Sequence, residues 1–184
     1  MKLPFPEEIE SARLHLRRLR YEDAEEIFFA YASKPEATRY VSWPTHQRLA
    51  DTREYLKHAI KAWRAGTEYA YAIRLKGTAR LAGSIGVVVK NTEAQVGYII
   101  SPALWGNGFA TEACTTLSQI LRRMDGLTRV WTLVDAENTA SLRVLQKCGW
   151  INEGIRPSYF VFNNQGSRAK DCFIFRLVHE SVRQ

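Results

Sequence analysis

The chain has 184 residues, with 26 Lys and Arg against 19 Asp and Glu, for a formal charge of +7. An apolar share of 46% and a charged share of 24% exclude an apolar-poor, disordered chain. At roughly 150 residues per domain, the length predicts one domain over residues 1–184.

The first ten residues, MKLPFPEEIE, hold two prolines and three glutamates, which is no signal-peptide core. Ala12–Leu19 sets Leu14, Leu16 and Leu19 against Arg13, Arg17 and Arg18 and predicts a first strand with one wet face. Tyr21–Ala32 opens with acids and groups Ala24, Ile27, Phe28 and Tyr31, as a helix does. Asp51–Arg64 is a second amphipathic helix, with Asp51 and Glu54 placed as a capping box. Its Arg53, Lys57, Lys61 and Arg64 form a solvated face or a lure for an acidic ligand. Tyr69–Leu75, Leu81–Lys90 and Glu93–Ser101 predict an antiparallel meander, because their links are short enough for hairpins. A helix over about Phe109–Met124 follows a glycine-bearing turn, and Val130–Val134 is a strand. Asn138 caps a helix that ends near Lys147, with Gly149 as its C′ residue. Trp150–Glu153 and Cys172–Val178 close the chain as strands.

Neither a transmembrane run nor an internal repeat is present. Cys114, Cys148 and Cys172 form no Cys-x-x-Cys unit, so neither a disulfide scaffold nor a zinc site is indicated. The expected location is cytoplasmic. His46 and His58 are expected at the surface and His15 on the outer face of its strand, with no metal site among them. The charge excess is split between residues 1–92 (16 basic, 11 acidic) and 93–184 (10 and 8), so there is no basic tail. No recognition helix or RNA-stacking motif accompanies it, and nucleic acid is not an expected partner.

Two stretches carry chemistry. Val96–Thr111 runs from a strand into a turn with Gly106 and Gly108, and a helix begins at once. Glycines let backbone amides converge, and the helix start adds unpaired N–H groups, so together they make a cradle for a phosphate or pyrophosphate. No Gly-Lys-Ser/Thr follows, which excludes a Walker loop. The second stretch, Asn138–Trp150, places Ser141 one turn into the helix that Asn138 caps.

In order along the chain stand Ala12-Arg-Leu-His-Leu-Arg-Arg-Leu, Gly97-Tyr98, Trp105-Gly106-x-Gly108, Ala110-Thr111-Glu112-Ala113, Asn138-x-x-Ser141 and Leu145-x-Lys147-x-Gly149-Trp150. With these the chain resembles the GNAT superfamily of acetyl-CoA-dependent N-acetyltransferases, and within it the branch of ribosomal-protein N-terminal acetyltransferases. Trp105 stands where the general motif begins with Gln or Arg, as it often does in this branch. The resemblance implies an α+β fold whose mixed, mostly antiparallel sheet of about seven strands is splayed in the middle and flanked by about four helices. Acetyl-CoA would enter between the strands holding Gly97–Ser101 and Val130–Val134. The resemblance assigns its pantetheine arm to Ile99, Ile100 and Ser101, and its pyrophosphate to the amides of Gly106, Asn107, Gly108, Phe109, Ala110 and Thr111, with Trp105 also among the cofactor-binding residues. A side chain at Gly108 would point at the phosphate. Asn138 and Ser141 match positions that contact the pantetheine or the thioester sulfur, and an N–H near Ile100 would polarise the thioester carbonyl.

The chemistry implied is direct attack of a primary amine on the thioester. At pH 7 roughly a tenth of α-amines are neutral, against fewer than about one lysine in a thousand. An N-terminal α-amine therefore needs little help from a base. Ser141 or Tyr98 would protonate the leaving thiolate, and a water chain to Glu93 would carry away the amine's proton. Tyr40 and Trp43, from the segment Arg39–Thr45, and Tyr159, from Arg156–Lys170, are candidates for the acceptor wall. The acceptor expected is a protein or peptide N-terminus. A small-molecule amine (a polyamine, antibiotic or amino-acid derivative) and a non-catalytic acyl-CoA-binding domain are the other readings. The family leaves both monomer and homodimer open.

Overall fold

A computed structural model describes residues 2–178. Its strands are β1 (Glu8–Glu10), β2 (Leu14–Arg18), β3 (Glu68–Leu75), β4 (Leu81–Lys90), β5 (Glu93–Ile100), β6 (Arg129–Asp135), β7 (Ile151–Phe160) and β8 (Lys170–Leu177). They form one sheet in the order β1-β2-β3-β4-β5-β6-β8-β7. Every neighbouring pair is antiparallel except β5 with β6. The helices are α1 (Ala24–Ile27), α2 (Pro35–Thr38), α3 (Leu49–Ala65), α4 (Phe109–Arg122) and α5 (Thr139–Lys147). This is the α+β architecture expected, with a small strand at one edge and a fifth short helix.

The additions have local causes. β1 pairs with β2 through three residues only, two of them glutamates, so it carries no readable hydrophobic period. The expected helix over Tyr21–Ala32 is a continuous helical run that tightens to 3₁₀ at Tyr21–Asp23 and loosens to a π-turn at Phe28–Ala32. α3 begins two residues before the expected start. Asp51, in its first turn, takes the backbone N–H groups of Gln47 and Arg48, so Glu54 has no part in the cap. Glu54 instead accepts from Lys57. β7 runs past the expected stop at Glu153, through two register shifts, with Gly154 at φ +102° and Ser158 at φ +47°. Pro157 is tolerated because β7 is an edge strand and its missing N–H breaks no ladder.

One apolar core, holding Leu14, Tyr71, Ile85, Val96, Leu117 and Phe175, joins α4 and α5 to one face of the sheet. A second, holding Ile27, Tyr31, Leu56, Ala72 and Ile99, joins α1 and α3 to the other. The expected wet face of β2 is partly claimed: Arg17 is nearly buried against Asp23, which Arg74 also pairs. His46 is buried as well, contrary to expectation, with Nδ1 2.8 Å from the Thr52 hydroxyl and its ring against Trp43. Burial pushes the His46 imidazole below its ordinary pKa. Among the described residues no helix is long and apolar enough to cross a membrane.

Candidate active site

The parallel pair β5–β6 is joined only over Glu93–Gln95 and Arg129–Trp131. At the next residue the Thr132 hydroxyl donates to the Val96 carbonyl at 2.7 Å. Beyond it β5 stays with β4 to Ile100 and β6 stays with β8 to Asp135, so a gap opens between them. The Ser101 N–H donates to Ala82 on β4 at 2.8 Å. Backbone direction alternates along a strand, so the N–H and C=O groups of Tyr98 and Ile100 face the gap. There the Ile100 carbonyl accepts from the Trp105 indole Nε1 at 2.9 Å, which ties the following turn to the end of β5.

That turn ends in two left-handed glycines, Gly106 at φ +79° and Gly108 at φ +77°. Gly108 caps α4, whose first backbone bond runs from the Glu112 N–H to the Gly108 carbonyl. The amides of Phe109, Ala110 and Thr111 are therefore left without intrahelical partners. A Cβ on Gly106 would meet nothing within 4 Å, so the backbone there stands open to a ligand. A Cβ on Gly108 would lie 3.5 Å from Nη2 of Arg13. Gly108 is thus required by its backbone conformation, and the space beside it would admit a Cβ in ordinary contact with Arg13. Converging amides, a gap-facing strand edge and a helix start fit a nucleotide diphosphate with an extended arm.

Across the gap, Asn138 caps α5 by accepting from the Ser141 N–H at 3.2 Å. The Ser141 Oγ lies 2.7 Å from the Tyr98 hydroxyl. The two candidate acids are therefore one hydrogen-bonded pair linking β5 to α5. Burial pushes the Tyr98 phenol above its ordinary pKa, so it holds its proton at neutral pH. Glu93 is not brought to this pair. It is exposed at the closed end of β5, five residues from Tyr98, or ~16 Å at about 3.3 Å per residue. It also points to the opposite face, since strand side chains alternate.

The acceptor candidates divide. Tyr40 reaches the entry to α5, with its hydroxyl 3.5 Å from the Glu137 carbonyl. Trp43 is half-buried and stacks on Tyr55. Tyr159 stands on β7, 48% exposed. Asn164, which the sequence did not single out, joins the two segments. Its Oδ1 accepts from the Thr45 N–H at 2.9 Å, and its Nδ2 donates to the carbonyls of Thr38 (2.7 Å) and Trp43 (2.9 Å). Gln165 donates to the Arg39 carbonyl and to the buried Asp135. Beside them lies a cavity of about 590 Å³, lined by Pro35, Glu36, Arg39, Thr45, Asn164, Gln165 and Lys170. Its wall is polar and charged, and none of the three aromatic candidates lines it. The polar run Asn163-Asn164-Gln165-Gly166 is the signal that would have drawn attention to this turn.

A sequence description of the acetyltransferase (GNAT) domain matches residues 13–151, from just before β2 to the first residue of β7. The chain belongs to the GNAT acetyltransferase family. It is an N-acetyltransferase whose acetyl donor is acetyl-CoA. The uncharacterized N-acetyltransferase YoaA of Bacillus subtilis (strain 168) is 30% identical over 158 residues, 84% of this chain and 89% of its own. Two solved GNAT folds superpose well. RimL, the ribosomal L7/L12 alpha-N-protein acetyltransferase in complex with coenzyme A, has a TM-score of 0.84 at 18% identity, covering 95% of this chain and 99% of its own. The microcin C7 self-immunity acetyltransferase MccE, in complex with acetyl-CoA and AMP, has 0.81 at 18%, covering 91% and 93%. At these identities the likeness is one of fold.

Proposed function

We propose that this acetyltransferase acts on the α-amine of a protein or peptide N-terminus in the cytoplasm. The observation that carries the reading is the Tyr98–Ser141 pair at 2.7 Å, with Glu93 exposed and remote from it. Both hydroxyls are proton donors at neutral pH, and among the described residues neither is hydrogen-bonded to a carboxylate. Such a site supplies an acid for a leaving thiolate and no strong base for the nucleophile. That suits an amine of pKa about 8, already part neutral, and not a lysine or polyamine. The similarity in fold to RimL, an α-N-protein acetyltransferase, supports the reading.

In this scheme acetyl-CoA supplies a thioester carbonyl open to direct attack. The Ile100 N–H in the gap polarises that carbonyl, and the Tyr98–Ser141 pair delivers a proton to the sulfur. Gly106–Thr111 holds the pyrophosphate by backbone amides, and Asn138 fixes Ser141 by capping α5. The proton of the amine leaves through water, with Glu93 as a distant sink. A small-molecule amine is the second reading. It is favoured by the polar cavity beside Asn164 and Gln165, which has room for a small acceptor.

The test is thiol release from acetyl-CoA with free N-terminal peptides, Nα-blocked lysine peptides, polyamines and aminoglycosides. Free N-terminal peptides are expected to give kcat/KM at least about tenfold above the rest. Faster turnover of a polyamine or aminoglycoside would overturn the proposal. Coenzyme binding with no amine-dependent release would make the chain an acyl-CoA-binding domain.

A further inference from the structure

Behind the glycine turn sits a contact that the reaction scheme does not use. Arg13, at the entry to β2, donates its backbone N–H to Glu112 Oε1 at 2.7 Å and its Nε to Oε2 at 2.6 Å. Its Nη1 reaches the Asn107 carbonyl at 3.0 Å, and its guanidinium lies over the Phe109 ring, 4.7 Å from the centroid. The Ser11 hydroxyl adds a bond to Glu112 Oε1 at 2.7 Å. These partners lie about a hundred positions away along the chain, and all belong to the turn or to the first turn of α4.

Glu112 explains why the contact is there. A carboxylate near a helix start favours the helix, but this one lies immediately after the amides that face a diphosphate. Uncancelled, it would repel that ligand. The Arg13 side chain is half exposed and that of Glu112 only 15% exposed, so the pair puts its cation against the hidden anion. The bond to Asn107 has a second effect. In a planar trans peptide, the C=O and the following N–H point in opposite directions. Holding the Asn107 carbonyl toward Arg13 therefore aims the Gly108 N–H away from it, out of the turn.

We propose that Arg13 is a positioning residue of the diphosphate cradle. From behind the turn it orients the Asn107–Gly108 peptide and cancels the Glu112 charge, and so it sets affinity for coenzyme A without touching it. The proposal rests on the reading that Gly106–Thr111 seats the pyrophosphate.

The experiment is calorimetric binding of coenzyme A and of pantetheine, which has the same arm but no nucleotide diphosphate, with thermal melting of each variant alongside. Arg13→Met is expected to weaken coenzyme A about tenfold or more and to leave pantetheine within about twofold. Arg13→Lys, which keeps the charge but loses the fork, is expected to weaken coenzyme A by about threefold. The decisive variant is Arg13→Met with Glu112→Gln, which removes the stranded carboxylate and should regain part of the lost affinity. Equal losses for both ligands, no loss for either, or a double variant no better than Arg13→Met would overturn the proposal. If Arg13→Met melts well below the parent, Arg13→Lys and Glu112→Gln carry the same comparison. A parent protein that binds coenzyme A no more tightly than pantetheine would instead defeat the underlying reading of the cradle.

Discussion

The proposed donor side and the proposed acceptor side of this site are built by different means. The donor side, from the end of β5 through Gly106 and Gly108 into α4, presents mostly backbone: strand-edge groups, left-handed glycines and open helix amides. The acceptor side, where Arg39–Thr45 meets the β7–β8 turn, is assembled from side chains over 119 to 126 positions of separation, with Asn164 and Gln165 as the connectors. A backbone site tolerates wide change in side chains and so suits a ligand shared by a whole family. A site of long-range side-chain bonds can be rebuilt by a few substitutions, which suits an acceptor that differs between members.

Substitutions can break this division or sharpen it. The largest effect is expected where the two sides meet: Tyr98→Phe combined with Ser141→Ala should lower kcat about a hundredfold. The KM for acetyl-CoA should stay nearly constant, measured by steady-state thiol release. Because burial holds the Tyr98 phenol above its ordinary pKa, any ionisation seen in kcat/KM between pH 7 and 9 should persist in Tyr98→Phe. On the donor side, Gly108→Val forces a β-branched residue to φ +77°. That costs about 2 kcal/mol or more, a rise of roughly 30-fold in KM for acetyl-CoA if the strain is relieved by reshaping the turn. A rise in the amine KM instead would show that the division is wrong.

Asn164→Ala is the acceptor-side counterpart. It strips hydrogen bonds that tie Thr38, Trp43 and Thr45 to the β7–β8 turn. It should raise the amine KM about tenfold and leave the acetyl-CoA KM unchanged. The smallest effect lies outside both sides. Burial would raise the Asp23 carboxyl, but bonds from Arg17, the Arg20 N–H and Arg74 outweigh it and hold the pKa below the ordinary value. A lowered folded-state pKa gives stability that is complete above about pH 4 and is lost as pH falls through the folded value. Melting temperature should therefore drop below pH 4 in the parent, and less steeply in Asp23→Asn.

The glycine turn, the long helix and the capped helix were legible because their determinants are contiguous. Two glycines one residue apart, an apolar stripe of period 3.6 over Phe109–Met124 and an Asn cap three residues before Ser141 are all statements about neighbouring residues. Elsewhere local reasoning misplaced details. Asp51 caps α3 by reaching back to Gln47 and Arg48, and His46 is buried because Trp43 and Thr52 close over it. Strand β7 continues through Gly154 and Pro157 because it lies at the sheet edge, a position fixed only by the order of the strands.

The sequence by itself determined the family pattern, the meander, the glycine turn and the capped helix, since these follow from backbone preferences that a few adjacent residues set. The tertiary structure alone decided that Tyr98 meets Ser141, that Asn164 ties Trp43 to the β7–β8 turn and that Arg13 packs behind the glycine turn. Each of these depends on where packing brings residues 40 to 126 positions apart. No local preference encodes that distance, because it is settled by how the two cores close on the faces of the sheet.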